Sequence, residues 1–131
     1  CAKAYMRQHE PFPKLRLGNL DAHRDWGHSE DYVDGIHRIV QHDTPDDFVL
    51  STGETHTIKE FLALSFSFAC PDQRWEDHVV IDPQFYRPSE VDYLLGDSSK
   101  ARKVLGWSPK VSFPELVKRM VDSDIKNAFK V

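Results

Sequence analysis

Two short stretches of this sequence concentrate side chains able to do chemistry. The first is Asn19-Leu-Asp-Ala-His-Arg-Asp-Trp-Gly-His28, which sets a carboxamide, two carboxylates, two imidazoles, a guanidinium and an indole within ten residues. The second is Tyr86-Arg-Pro-Ser-Glu-Val-Asp92. Arg24 is permanently charged and can give two parallel hydrogen bonds to a phosphate. The alternative is that it pairs with Asp21 or Asp25 and fixes a loop. Arg87 and Glu90, three residues apart, offer a cation for phosphate and an acceptor for a hydroxyl, or else a surface ion pair worth roughly 0–1 kcal/mol. Pro88 should hold that segment extended and keep Arg87 out of helical geometry.

Other chemistries are disfavoured by spacing. His37 and His42 lie five apart, about 140° around a helix, so they face different ways. His9-Glu10 meets Pro13 where an H-E-x-x-H motif needs its second histidine. No metal site is expected. The six glycines, at 18, 27, 35, 53, 96 and 106, spell neither G-x-G-x-x-G nor a P-loop. No serine stands in a G-x-S-x-G context. None of the four tyrosines has a lysine four residues on; those positions hold His9, Ile36, Glu90 and Asp97. Trp26, Trp75 and Trp107 are read as packing residues.

The elements that must position these residues read as follows. Residues 1–10 suggest the tail of a helix stopped at Pro11-Phe-Pro13. Leu15-Arg-Leu17 alternates as a short strand ending at Gly18-Asn19. The first cluster thus lies between a strand end and a helix start, where ligands gather in α/β sheets. From His28 to His42, Val33, Ile36 and Val40 recur at helical spacing, with Ile39 widening the stripe. Phe48-Val-Leu50 reads as a buried strand running into Ser51-Thr-Gly53-Glu54. Thr57 and Glu60 form a capping box for a helix whose stripe is Ile58, Phe61, Leu62, Ser65, Phe66 and Ala69. His78–Ile81 is a strand. Asp97 or Ser98 starts a short helix that stops at Gly106. Ser112 and Glu115 suggest a second capping box, with Pro114 in the first turn and Leu116, Val117, Met120, Val121 and Ile125 buried. Strands alternating with helices indicate an α/β chain with a parallel sheet, though two or three strands are few for a self-sufficient one.

The chain has 131 residues, enough for one compact domain. Its 17 basic and 21 acidic residues give a net charge of −4, which disfavours nucleic acid as a partner. No apolar run approaches the ~20 residues of a membrane helix; the longest, Phe61–Cys70, is interrupted by Ser65 and Ser67. A soluble, cytoplasmic protein that binds no membrane is expected. Cys1 and Cys70 are too few and too far apart for a disulfide scaffold. Cys rather than Met in first place suggests a chain that starts at a processing point, at a boundary, or inside a longer protein.

The strings Leu17-Gly-Asn-Leu-Asp-Ala22, Arg24-Asp-Trp-Gly-His28, Asp31-Tyr-Val33, Ser51-Thr-Gly-Glu-Thr-His-Thr57 and Tyr86-Arg-Pro-Ser-Glu-Val-Asp92 resemble the GDP-mannose 4,6-dehydratases. Gly96-Asp97, Lys100-Ala101 and Leu105-Gly-Trp107 add to the likeness, which runs from about Lys14 to the C-terminus. The resemblance implies an extended short-chain dehydrogenase/reductase, α/β in class, of which residues 1–131 are the C-terminal portion. They would comprise the end of a Rossmann-type parallel sheet and most of the sugar-nucleotide lobe, without the N-terminal cofactor half.

It further implies substrate roles for four residues. Arg24 and Arg87 would contact the diphosphate, Glu90 the ribose, and Asn19 would lie near the substrate phosphates. Asp25, Trp26 and Asp31 would be structural: a helix-entry anchor, a packed ring and a first-turn carboxylate. His23 takes no catalytic role. The family reaction turns GDP-mannose into GDP-4-keto-6-deoxymannose on the way to GDP-fucose and other deoxyhexoses. NADP takes hydride from C4, water leaves across C5 and C6, and hydride returns to C6. The Gly-rich loop and Tyr/Lys pair this lyase chemistry needs are not written here, so no catalytic, cofactor-binding or metal residue is assigned to this chain. It would be part of a complete dehydratase, or a noncatalytic derivative serving as a structural or binding subunit in a larger assembly. The expected partners are GDP-mannose and a missing N-terminal half or another chain, in an oligomer. Alone, the chain is expected to fold poorly or to dock on another chain; a cooperative monomeric thermal melt would count against this.

Overall fold

The computed structural model describes residues 13–87 and 89–128. The expected helix tail over residues 1–10 and the reading of Pro88 lie outside them. The described strands are β1 (Leu15–Leu17), β2 (His23–Arg24), β3 (His56–Thr57) and β4 (Val79–Ile81). The helices are α1 (Ser29–Val40), α2 (Ile58–Ala69), α3 (Ser99–Leu105) and α4 (Phe113–Ala128), with 3-10 turns at Trp75–Asp77 and Pro83–Phe85. The chain divides into two compact units. One holds residues up to 22, 57–92 and from 117 onward, and the other holds 23–56 and 93–116.

The first unit is built on β1 and β4, which pair in parallel with Leu15 opposite Val79, Arg16 opposite Val80 and Leu17 opposite Ile81. Against this ribbon lies α2. Its start is fixed by the capping box: Glu60 N–H donates to Thr57 Oγ1 at 3.1 Å, and Thr57 N–H to Glu60 Oε2 at 2.7 Å. Leu62, Ser65, Phe66 and Ala69 are buried along its inner face, as their spacing predicts. Leu20, Leu62 and Val79 form one core cluster of this unit, with Leu17, Ile58 and Trp75 packed on it.

The second unit turns on α1. His28 caps it, its Nδ1 accepting from Glu30 N–H at 3.2 Å. The helix buries a side other than the one its apolar pattern predicts. Asp31 and Gly35 are buried, whereas Val33, Ile36 and Val40 are 64, 55 and 72% exposed. These three lie about 140–200° around the helix from Asp31. The inward side is held by polar bonds and close approach. Asp31 Oδ2 accepts from the backbone N–H groups of Lys110 and Val111, both at 3.0 Å. Its carbonyl accepts from Trp107 Nε1–H at 2.7 Å, and Trp107 is 1% exposed. A Cβ on Gly35 would come within 2.6 Å of a Leu50 methyl and 3.0 Å of the Trp107 ring nitrogen. The sequence reading of Phe48–Leu50 as a buried strand also fails: no strand forms there and Val49 is 54% exposed. A strand requires a ladder neighbour, and the described residues supply none.

Helix α3 stops at Gly106, whose φ of +60° is the left-handed closure expected there. The guanidinium of Arg38 donates to the last carbonyls, Leu105 O at 3.1 Å and Gly106 O at 3.0 Å. At its start the Asp97 carboxylate, rather than the Ser98 hydroxyl, accepts from Ser99 N–H. In α4, Leu116, Val117 and Val121 are buried as expected, but Met120 is 47% exposed. It sits beside buried Val121 on the helix's outer side, where a flexible thioether is tolerated.

Gly18 sits at a close backbone approach within the first unit. A Cβ there would lie 2.5 Å from the Phe85 carbonyl oxygen, a backbone atom that cannot rotate away. Gly18→Ala is therefore expected to destabilise the chain by about 1–3 kcal/mol through overpacking. Urea unfolding of the two chains checks this; an unchanged midpoint would show that the close approach is dispensable.

Candidate functional site

The second unit gathers its loops around one carboxylate. Asp25 Oδ1 accepts from the backbone N–H of Thr52 at 2.9 Å and from the Thr52 hydroxyl. Its Oδ2 accepts from Gly53 N–H at 3.0 Å and Gly96 N–H at 3.2 Å. Burial alone would raise this carboxyl's pKa, but the Thr52 hydroxyl and the three backbone donors outweigh it and hold the group below 3.8. The clamp thus joins the R-D-W segment, the Ser51–Glu54 loop and the Gly96 turn. The Ser51–Glu54 loop is tied further: Arg102 Nη2 donates to Thr52 O at 3.0 Å, and Gly53 turns the chain with a φ of +81°. Gly96 has to lack a side chain, since a Cβ there would overlap Ser51.

Beside the clamp is a cavity of about 320 Å³ whose lining includes Arg24, Asp25, Tyr32, Ser51 and Leu95. Arg24 presents the cation of this cavity; one of its nitrogens donates to the His23 carbonyl at 2.8 Å. Tyr32 has its pKa raised by burial and then by the charges of Asp25 and Asp31, so its hydroxyl stays protonated. Ser51 is buried, and its hydroxyl has no hydrogen-bond partner among the described residues. Cation, phenol and hydroxyl together suit an anionic, oxygen-rich ligand. A second cavity of about 270 Å³ is lined by Trp26, Glu54, Arg102, Lys110 and Phe113 among others. Its Arg102 is engaged by Thr52 O and by Ser98 Oγ, so it serves the loops.

The other three residues singled out by the sequence lie in the first unit. Asn19 builds a turn: its Oδ1 accepts from Asp21 N–H at 3.0 Å, and its Nδ2 donates to Asp92 Oδ1 at 3.4 Å. With the approach of Gly18 to Phe85, that bond brings the Asn19 turn against the segment carrying Arg87 and Glu90. Arg87 is exposed and Glu90 half-buried. Asn19, Arg87 and Glu90 are therefore on adjoining segments of one unit, and Arg24 belongs to the other. Sequence reasoning missed the reach of Asp25, read only as a helix-entry anchor, and missed Ser51 and Tyr32. The adjacency of Asp25 to Arg24 and the glycines at 53 and 96 were the available signal.

Residues 2–120 match the family described as GDP-mannose 4,6 dehydratase. The chain is 52% identical over 115 residues to GDP-mannose 4,6 dehydratase 1 of Arabidopsis thaliana, covering 88% of this chain and 31% of that protein. This chain belongs to the GDP-mannose 4,6-dehydratase family. The human enzyme is 44% identical over 140 residues, covering 95% of this chain and 37% of its own length. The chain spans about a third of these curated relatives, in their C-terminal part.

Among solved structures, RMD from Pseudomonas aeruginosa, complexed with NADPH, superposes with a TM-score of 0.78 at 19% identity, covering 96% of this chain and 42% of that one. A dTDP-glucose 4,6-dehydratase from Bacillus anthracis, in complex with NAD, gives 0.77 at 15%, covering 96% and 37%. The fold is thus α/β, that of the extended short-chain dehydrogenase/reductases. No described helix is long and apolar enough to cross a membrane.

Asp25→Asn is expected to lower stability by about 1.5–3 kcal/mol near neutral pH, because an amide cannot accept at both ends and leaves backbone donors unmet. The folded pKa lies below the ordinary value of 3.8. The carboxylate's contribution is therefore fully present above that value and is lost as pH falls through the lower folded pKa. Urea midpoints measured down to pH 2 should show the two chains converging on acidification. A gap independent of pH would mean the charge is not what holds the loops.

Proposed function

We propose that this chain is the nucleotide-sugar-holding part of a GDP-mannose 4,6-dehydratase, an NADP-dependent lyase of the cytoplasm that forms GDP-4-keto-6-deoxymannose. The observation that carries the reading is Arg24, held beside an anion-suited cavity by the Asp25 clamp in a chain of this family. Arg24 would take the diphosphate in paired hydrogen bonds, with Tyr32 and Ser51 as hydroxyl donors to the same ligand. On the other unit, Arg87 would offer a cation to a phosphate and Glu90 an acceptor to a ribose hydroxyl. The Asn19 turn would hold their segment in place through Asp92. The arginine contacts are charged, so they favour a nucleoside diphosphate over a neutral sugar.

NADP, when bound, would supply the hydride transfers at C4 and C6, and the residues present here do not fit that cofactor. None of the six glycines stands in a Gly-rich loop, and no tyrosine is followed by lysine at the fourth place. This chain's part is to bind and orient the substrate, and no reaction step is assigned to its side chains.

Calorimetric titration of GDP and GDP-mannose tests the reading. Arg24→Ala and Arg87→Ala are each expected to weaken binding about 10–100-fold, the size of a lost charged hydrogen bond of about 1.5–3 kcal/mol. Glu90→Gln should weaken GDP binding but leave 2′,3′-dideoxy-GDP unaffected. Equal affinity across these variants, or no binding by the parent chain, would overturn it.

A further inference from the structure

The Ser51–Glu54 loop borders two cavities. Ser51 lines the one that holds Arg24, while Thr52 and Glu54 line the other, of about 270 Å³. Trp26 borders both. The walls of this second cavity are fixed by the fold. Arg102 donates from Nε to Ser98 Oγ at 3.2 Å and from Nη2 to Thr52 O at 3.0 Å, which holds the guanidinium in one orientation. Its Nη1 has no acceptor among the described residues. Another wall is set by Asp31, whose Oδ2 accepts from the N–H groups of Lys110 and Val111, both at 3.0 Å. The Lys110 ammonium, at the cavity, has neither an ion pair nor a hydrogen bond among the described residues.

A flat apolar surface completes the lining. Trp26 stacks on Phe113 with ring centres 5.8 Å apart, and His56 stacks on the same ring at 3.9 Å, so neighbours hold the ring planes. Charge and size then narrow the ligand. Arg102 and Lys110 against Glu54 leave one net positive charge on the lining. A single carboxylate balances it, whereas a diphosphate would bring excess negative charge beside Glu54. The volume lies at the lower edge of the ~300–1,000 Å³ of small-molecule sites, so the ligand is a small one.

We propose that this cavity is a second binding site, for a small aromatic monocarboxylate. Its carboxylate would take hydrogen bonds from Arg102 Nη1 and from the Lys110 ammonium, and its ring would lie along Trp26 and Phe113. Because the guanidinium and the Lys110–Val111 backbone are already held, little ordering is left for binding to bring about. The site differs from the Arg24 cavity in its cations and in the charge of its ligand, so it does not depend on nucleotide-sugar binding.

Titration of the 131-residue chain with benzoate tests this, followed by NMR at the Trp26 indole N–H and the Lys110 and Ser112 amides. These signals are expected to shift and saturate, without matching shifts at Tyr32 and Leu95. Cyclohexanecarboxylate has the same charge without a flat ring, and should bind at least threefold more weakly. Lys110→Gln removes an exposed ammonium that no described residue engages, so the urea midpoint and GDP affinity should be unchanged while benzoate binds at least threefold more weakly. Shifts that do not saturate, equal binding of the two acids, or unchanged benzoate affinity in Lys110→Gln would each overturn the proposal. So would shifts centred on Tyr32 and Leu95, or displacement of benzoate by GDP. The benzoate titration is read without nucleotide, so a failure of GDP binding leaves its result standing.

Discussion

A half-buried carboxylate that has to be charged, and has to find four donors, sets the arrangement of the second unit. Asp25 draws Thr52, Gly53 and Gly96 onto its two oxygens from segments 27 and 71 residues away in sequence. Such bonds are charge-assisted, and leaving any of the three backbone donors unmet in a half-buried place costs free energy. The residues around them follow from this demand. Gly53 adopts a left-handed φ to present its N–H, and Gly96 lies too close to Ser51 for a side chain. Arg24, one residue before the carboxylate, is thereby carried to the wall of the cavity. Position is enforced by polar closure rather than by a large core.

The same economy of apolar material runs through the rest of the chain. In the first unit a small cluster of Leu20, Leu62 and Val79, with three partners packed on it, lies against a two-stranded parallel ribbon. Elsewhere, order comes from helix ends and loop ties: the Thr57–Glu60 box, Arg38 on the end of α3, and Asp31 on the Lys110–Val111 backbone. Of the candidate residues, Asn19, Arg87 and Glu90 stand in loops and Arg24 ends the short strand β2. Apolar surface is left open on α1 and at Val49.

What was legible in the sequence was local. A capping box, a glycine stop and short alternating runs each encode their structure within a few residues, and α2, Gly106, β1 and β4 stand where they predict. What was not legible depends on partners distant in sequence. Periodicity marks Val33, Ile36 and Val40 as one face of a helix, but it cannot say which side is buried. Asp31 and Gly35 decide that through residues some 15 to 80 positions away. Phe48–Leu50 has a strand's composition without a ladder to join among the described residues. Arg24 drew notice by its type, whereas Asp25, whose importance lies in whom it reaches, read only as an anchor.

The claim that one ionised carboxylate organises these loops is open to a direct measurement. The side-chain carboxyl carbon of Asp25 can be followed by NMR through an acid titration, together with the amide protons of Thr52, Gly53 and Gly96. All four signals are expected to move with one midpoint, below the ordinary aspartate value of 3.8. Separate midpoints for the amides, or an Asp25 midpoint at or above 3.8, would contradict the clamp and leave Arg24 without the support described for it.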